Sequence, residues 1–218
     1  MMDSSSSPSL SRREVRRRDR RDAILCVAAR SFLENGYAGT TMSGIAAALG
    51  GSKGTLWSHF PSKEELFASV LDQKTSAYRA QLSQILDPCG DLVTTLHRAC
   101  VSLLEKMTSS EAIALHRLTM SEAGRISEIG RIFYRRGPHQ TRMLIAEFLS
   151  GAMERGQLRK ADPEAAARVI TALITSGCHQ KLLVGEIVAV TPDMIAADAD
   201  FTVGVFMRAH APEMAPAH

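Results

Sequence analysis

Cysteine is scarce: four residues in 218, at positions 26, 89, 100 and 178. None form a C-x-x-C pair, which argues against a zinc ribbon, a thioredoxin-type motif and a disulfide scaffold. No apolar run approaches the ~18 residues of a membrane span. The N-terminus is rich in Ser and Arg but lacks the apolar stretch of a secretory signal. These absences predict a soluble, reduced, cytoplasmic chain with no membrane partner. A sustained period of two is also missing. Only Ile187–Val190 reads as extended, and it is too short to build a sheet. No internal repeat is visible. What remains is 45% hydrophobic and 22% charged residues, close to the globular average, in a length suited to one large domain or two small ones.

The net charge of +3 conceals an asymmetry. Residues 1–60 hold nine Arg/Lys against five Asp/Glu, and residues 61–218 hold seventeen against eighteen. The excess is concentrated at Arg12, Arg13, Arg16, Arg17, Arg18, Arg20 and Arg21. Clustered arginine suits a polyanion, whether nucleic acid or an acidic membrane. The competing reading is a solvated helix face behind a frayed tail. Residues 1–15 are expected to be a disordered basic arm.

Helical periodicity begins near Arg16, with Ile24, Ala28 and Phe32 on one stripe. Asn35-Gly36 supplies a stop. Thr40-Thr41 offers a hydroxyl cap for a small Ala-rich helix from Met42 to Leu49. Gly50-Gly51 breaks it, and Ser52 opens a short segment to about Ser58. Pro61 interrupts, and a long helix runs from Lys63 to about Leu86. Further helices are expected at 92–107, 110–122, 126–136, 139–155, 163–184 and 193–210. Gly137-Pro138 reads either as a kink within one helix or as a true break. The residues 211–218 read as a disordered tail. The expected class is all-α, with about nine or ten helices.

Residues 16–62 match a helix-turn-helix plan. Its first helix must be small and apolar, which Ile45, Ala46, Ala47, Ala48 and Leu49 provide. Its turn must be sharp, which Gly50-Gly51 permits. Its second helix must bury anchors and expose polar groups. Leu56 and Phe60 are the expected anchors. Ser52, Lys53, Trp57, Ser58 and His59 are left to face outwards.

The run Thr40–Leu66, TTMSGIAAALGGSKGTLWSHFPSKEEL, resembles the DNA-binding domain of TetR/AcrR-family transcriptional regulators. The likeness spans about residues 20–71. A second stretch, about 115–177, is similar to the C-terminal domain of AefR-like members. The resemblance implies DNA contacts from Thr41, Gly51, Ser52, Lys53, Gly54, Trp57, Ser58, His59 and Lys63. Trp57 stands where the family usually has tyrosine, so an indole N–H replaces a phenol. Gly51 replaces a commoner apolar residue. A solvated helix charge is the alternative for Lys63, and an ordinary surface histidine for His59.

The resemblance further implies that residues 63–210 form a helical effector-binding and dimerisation domain. Its expected cavity residues are His97, Cys100, Leu104, His116, Met120, Phe133, Met143 and Phe148, each also readable as plain core. His97 and Cys100 are three apart, but no third metal ligand is evident. No cofactor and no metal are expected. The implied function is a homodimeric repressor on a palindromic operator of double-stranded DNA, released by a small, largely apolar effector, in the bacterial cytoplasm and on the nucleoid when bound. An activator and an effector-independent adaptor of the same fold are the alternatives. A small helical enzyme would need an ordered nucleophile–base pair or phosphate loop, which the sequence lacks. A non-enzyme is therefore expected.

Overall fold

The computed structural model describes residues 11–50 and 53–212. The described residues form eleven helices and no strand. The chain divides into two compact units, Met1–Val70 and Leu71–His218.

In the first unit, α1 (Arg12–Gly39) starts earlier than its periodicity suggests. Arg12 to Val15, expected within a disordered arm, are helical because Ser11 and Glu14 form a capping box. The Ser11 N–H donates to Glu14 Oε2 at 2.8 Å, and the Glu14 N–H donates to Ser11 Oγ at 3.3 Å. Two otherwise orphaned N–H groups are thereby satisfied. The expected arm residues 1–10 lie outside the described residues. The predicted stop is present as a break at Gly36, whose φ of 74° is open to glycine at little cost.

Next come α2 (Met42–Ala48), α3 (Lys53–His59) and the start of α4 (Lys63–Ile85). An aromatic trio joins α1 to α4. Phe32, Tyr37 and Phe67 have ring centroids 5.1–5.5 Å apart. This explains why the unit ends at Val70 and not at the expected boundary of residue 62. Phe67, fully buried, belongs to the core of the head.

In the second unit, α4 continues and is followed by α5 (Leu92–Met107), α6 (Ser110–Glu122), α7 (Ser127–Arg136) and α8 (Pro138–Glu154). Then come α9 (Pro163–Thr175), α10 (Cys178–Val184) and α11 (Pro192–His210). Leu96, Leu104, Leu149, Ile174 and Phe206 form the centre of the core. Ala152, Ala166 and Ala167 are fully buried and allow α8 and α9 to pack closely. Gly137 lies outside both neighbouring helices at φ −115° and ψ −92°, so Gly137-Pro138 is a true break, with proline opening α8. Ala211 and Pro212 follow α11, and the remainder of the expected tail lies outside the described residues.

One expectation is corrected. Residues 163–184 are not one helix but two, divided at Ser176-Gly177. The cause is Asp198 of α11. Its carboxylate accepts from the Cys178 N–H at 2.6 Å and occupies the space that a side chain at 177 would need. The same carboxylate, after burial, helps push the Cys178 thiol up to about 12.

Gly177→Ala is expected to destabilise the second unit by about 1–3 kcal/mol, because the added methyl collides with the carboxylate. Asp198→Ala should cost less, about 1 kcal/mol, through the lost cap. The double variant should be less destabilised than the sum, since removing the carboxylate removes the collision. Urea denaturation of the four proteins measures this coupling.

Candidate nucleic-acid interface and effector cavity

The first unit positions α3 through its buried face. Leu56 and Phe60 are each 1% exposed and lock one face. The opposite face leaves Trp57 40% exposed and Ser58 exposed. Ile45 and Ala46 of α2 are buried, whereas Ala47 and Ala48 are exposed. The anchoring stripe of α2 is therefore narrower than its composition suggests. Gly50, at φ +62°, opens the turn towards α3.

The expected contact residues fall into distinct surroundings. Thr41 is exposed and caps α2, its hydroxyl accepting from the Gly44 N–H at 3.0 Å. Gly54 is exposed at the start of α3. Ser58 donates to the Thr55 carbonyl at 2.8 Å. His59 is half-buried, and burial, followed by the fields of Arg17, Arg21 and Arg20, holds its imidazole below its ordinary pKa. Gly51, Ser52 and the side chain of Lys53 lie outside the described residues.

Lys63, expected among the DNA contacts, is engaged within the head. Its ammonium donates to the Tyr37 carbonyl at 2.9 Å and the Thr40 carbonyl at 3.1 Å, and lies 4.2 Å from the Tyr37 ring centroid. Two of its three donors are spent on holding the loop before α2. The buried Thr40 hydroxyl supports the same loop, within 2.7 Å of the Gly36 carbonyl and 2.9 Å of Ser31's.

The second unit contains a cavity of about 340 Å³ with a mostly apolar lining. Leu71, Thr75 and Tyr78 of α4, Leu115 and His116 of α6, Phe133 of α7, Arg142 of α8, and Thr171, Thr175 and His179 of α9 and α10 contribute to its wall. Its rings form a row. His116 lies 5.4 Å from Phe133 and 5.7 Å from His179, centroid to centroid. Burial lowers the pKa of both histidines, and for His179 the neighbouring His116 adds to the effect. Burial raises the Tyr78 phenol well above its ordinary value. Arg142 reaches the Tyr134 hydroxyl with Nη1 at 3.1 Å, while its buried Nε has no hydrogen-bond partner among the described residues. At the wall, Lys74 and Glu111 pair at 2.7 Å.

Of the eight expected cavity residues, His116 and Phe133 line this space. Cys100, Leu104 and Phe148 are buried in the core instead. Burial pushes the Cys100 thiol up to about 12, unfavourable for a metal-binding thiolate. His97 faces away and meets Asp200 at 3.1 Å. Met120 is 68% exposed, and Met143 lies in a separate cleft beside Arg79 and Glu147. Cys100, Leu104 and Phe148 are off this wall because the apolar stripes that carry them face the closed core, whereas His97, Met120 and Met143 lie towards the surface. Tyr78, Arg142, Thr175 and His179 line the cavity without belonging to an apolar stripe that would point to them. Their signal was spacing: Arg168, Thr171, Ala172, Thr175 and His179 keep helical intervals through the break at Gly177.

No group of three potential metal ligands occurs among the described residues, and no described helix is long and apolar enough to cross a membrane.

Comparison with known proteins agrees with this organisation. Residues 94–212 match the family described as "AefR-like transcriptional repressor, C-terminal domain", and residues 24–70 match "Bacterial regulatory proteins, tetR family". The HTH-type transcriptional regulator YhgD of Bacillus subtilis is 27% identical over 159 residues, covering 71% of this chain and 80% of its own. A TetR-family regulator from Mesorhizobium loti superposes with a TM-score of 0.78 at 24% identity, over 90% of this chain and 98% of the other. The Flavonoid-responsive Regulator FrrA superposes at 0.75 with 29% identity, over 90% and 99%. Proteins of this kind are transcription factors and not enzymes. With both of its units matched, the chain belongs to the TetR family of DNA-binding transcriptional regulators and carries an AefR-like C-terminal domain.

Proposed function

We propose that the chain is a homodimeric repressor that reads a palindromic operator with α3 and releases it on binding a small, largely apolar effector. The observation that carries this reading is the pairing of two features in separate units: an anchored short helix with an exposed polar face, and a ring-lined cavity. Lys53, Gly54, Trp57, Ser58 and His59 would face the major groove, with Thr41 towards the DNA backbone. Ser52 and Gly51 complete this set at the turn. Lys63 acts as a brace for the loop before α2. Two such heads about one DNA turn apart would read a two-fold site. Val169, Val184 and Phe201 stand exposed on α9, α10 and α11, which favours a partner copy on that unit.

The effector would displace the population from a DNA-competent to a splayed dimer. A nearly complete shift takes a differential affinity of about 5.5 kcal/mol. One helix links the two functions, because α4 begins in the head and carries Leu71, Thr75 and Tyr78 to the cavity wall. FrrA is flavonoid-responsive, and the row of Phe133, His116 and His179 offers ring faces to a planar compound. Planar polyphenols are therefore the first effector class to test. A cavity of this size argues against an effector-independent adaptor.

Lys53→Ala should weaken operator binding at least tenfold while leaving the dimer intact, measured by gel shift and by analytical ultracentrifugation. Unchanged affinity would remove Lys53 from the contact set. Ala112→Trp should fill the cavity, retaining operator binding while abolishing release by the polyphenol. Release that persists would place the effector elsewhere.

The two cavity histidines also give a pH signature. Their folded pKa values lie below the ordinary 6.5, so the unfolded chain binds protons more readily. Their contribution is fully present above 6.5 and is lost as pH falls from there towards the depressed values. Stability measured by urea denaturation should therefore drop between pH 7 and 5. The slope should flatten in His116→Gln/His179→Gln; an unchanged slope would exclude these two groups as its origin.

A further inference from the structure

Of the arginines at the start of α1, Arg21 packs on the helix-turn-helix, whereas Arg12, Arg13, Arg16 and Arg17 stand exposed. Seven arginines against Glu14, Asp19 and Asp22 leave an excess of four positive charges. At 100° per residue, Arg12, Arg13, Arg16, Arg17, Arg20 and Arg21 fall within roughly half of the helix circumference. The three carboxylates fall on the other half. The helix thus presents a cationic face, not a mixed one. Arg12, Arg13, Arg16 and Arg17 are exposed, while Arg20 and Arg21 are half-buried.

This face is tied to the end of α3. The Arg21 guanidinium lies 4.5 Å from the Phe60 ring centroid, and its Nη2 donates to Ser69 Oγ at 3.2 Å. The fields of Arg17, Arg20 and Arg21 reach His59, the last residue of α3. For an isolated helix the arrangement is unfavourable. Arg12 with Arg16, Arg13 with Arg17, Arg16 with Arg20 and Arg17 with Arg21 are like-charge neighbours, and Arg12 and Arg13 also sit in the first turn, at the positive end of the helix dipole. A polyanion offsets these effects, because it attracts each arginine and screens the repulsion between neighbours.

We propose that Arg12, Arg13, Arg16 and Arg17 form a second DNA-binding element, which grips phosphates beside the stretch read by α3 and reads no bases. Arg12 to Arg21 spans ~14 Å of helix axis. Over such a length duplex DNA carries about eight phosphates. The element supplies affinity, register and salt dependence, and α3 supplies sequence preference. The proposal rests on α3 being the reader, and its test separates the two.

The test compares the full-length protein with a fourfold alanine variant (Arg12, Arg13, Arg16 and Arg17→Ala) and the matching fourfold lysine variant. Binding is titrated from 50 to 200 mM salt on a duplex selected from random sequence and on a scrambled duplex. Without the four arginine–phosphate pairs, the slope of log affinity against log salt should fall by about 3.6. Over that range the wild type should then lose about 100-fold more affinity than the alanine variant. Both duplexes should be affected alike, and the lysine variant should keep the wild-type slope. Circular dichroism of the lysine and alanine variants separates a missing phosphate grip from a lost fold. An unchanged slope, or a loss confined to the selected duplex, would overturn the proposal. So would loss of binding to phosphatidylserine vesicles with the DNA slope intact, which would assign the face to membrane lipid. Lys53→Ala is run in parallel. If it keeps the preference for the selected duplex, the reading of α3 fails while the slope result still stands for the arginines.

Discussion

A helix of seven residues does not hold itself together in water, because nucleation costs more than two turns return. That constraint governs the first unit. α3 exists only as a helix pinned from outside. Leu56 and Phe60 enter the core, and burial of each contributes about 1.5–3 kcal/mol. Arg21 covers the Phe60 ring from the far side. The loop before α2 is held by Lys63 and Thr40, so the α2–α3 pair inherits its orientation from carbonyls at the end of α1. The trio of Phe32, Tyr37 and Phe67 then makes α1 and the start of α4 one framework. Any exposed residue of α3 is therefore placed by groups that lie wholly or partly inside the unit.

The second unit obeys the opposite logic in one region. Most of its interior is apolar and closed, but the walls at His116, His179, Tyr78 and Arg142 retain polar groups around a void. A void forfeits dispersion attraction, and a buried polar atom without a partner is costly. Both departures from good packing coincide at one place, as is usual where a protein trades stability for a site. The histidines are compatible with this setting because burial lowers their pKa and so favours the neutral imidazole. A neutral imidazole still offers one donor and one acceptor.

The helical class, most helix starts and the helix-turn-helix were legible because each rests on local chemistry: a hydroxyl cap at Thr41, a carboxylate cap at Asp162, a glycine stop at Gly36, anchors at Leu56 and Phe60. The early start of α1 is local too, and the Ser11–Glu14 pair signals it once the capping box is sought. The division at Gly177 is not local. It is imposed by Asp198, twenty-one residues further along the chain, and no pattern within 163–184 announces it. The role of Lys63 was hidden for the same reason, since its partners are main-chain carbonyls that sequence does not display. Hydrophobicity points to only part of the cavity wall, at His116 and Phe133. Met120 and Met143 are apolar yet exposed, while Thr171, Thr175 and His179 are polar yet line the wall.

The start of α1 shows how a local conflict acquires meaning from its surroundings. Four like-charge pairs at one helix turn's spacing each cost about 0.2–0.5 kcal/mol, so together they oppose the helix by about 1–2 kcal/mol. The capping box at Ser11 contributes about 1 kcal/mol in the other direction. In the free protein these nearly cancel, and the first turns of α1 are held chiefly by the chain behind them. Against phosphates the balance changes, because each arginine then meets an opposite charge and the repulsion between neighbours is screened. Proposed as a phosphate-binding face, this segment would be firmest when DNA is bound. Its order and the occupancy of the groove by α3 would then reinforce each other, although in this proposal α3 alone would touch bases.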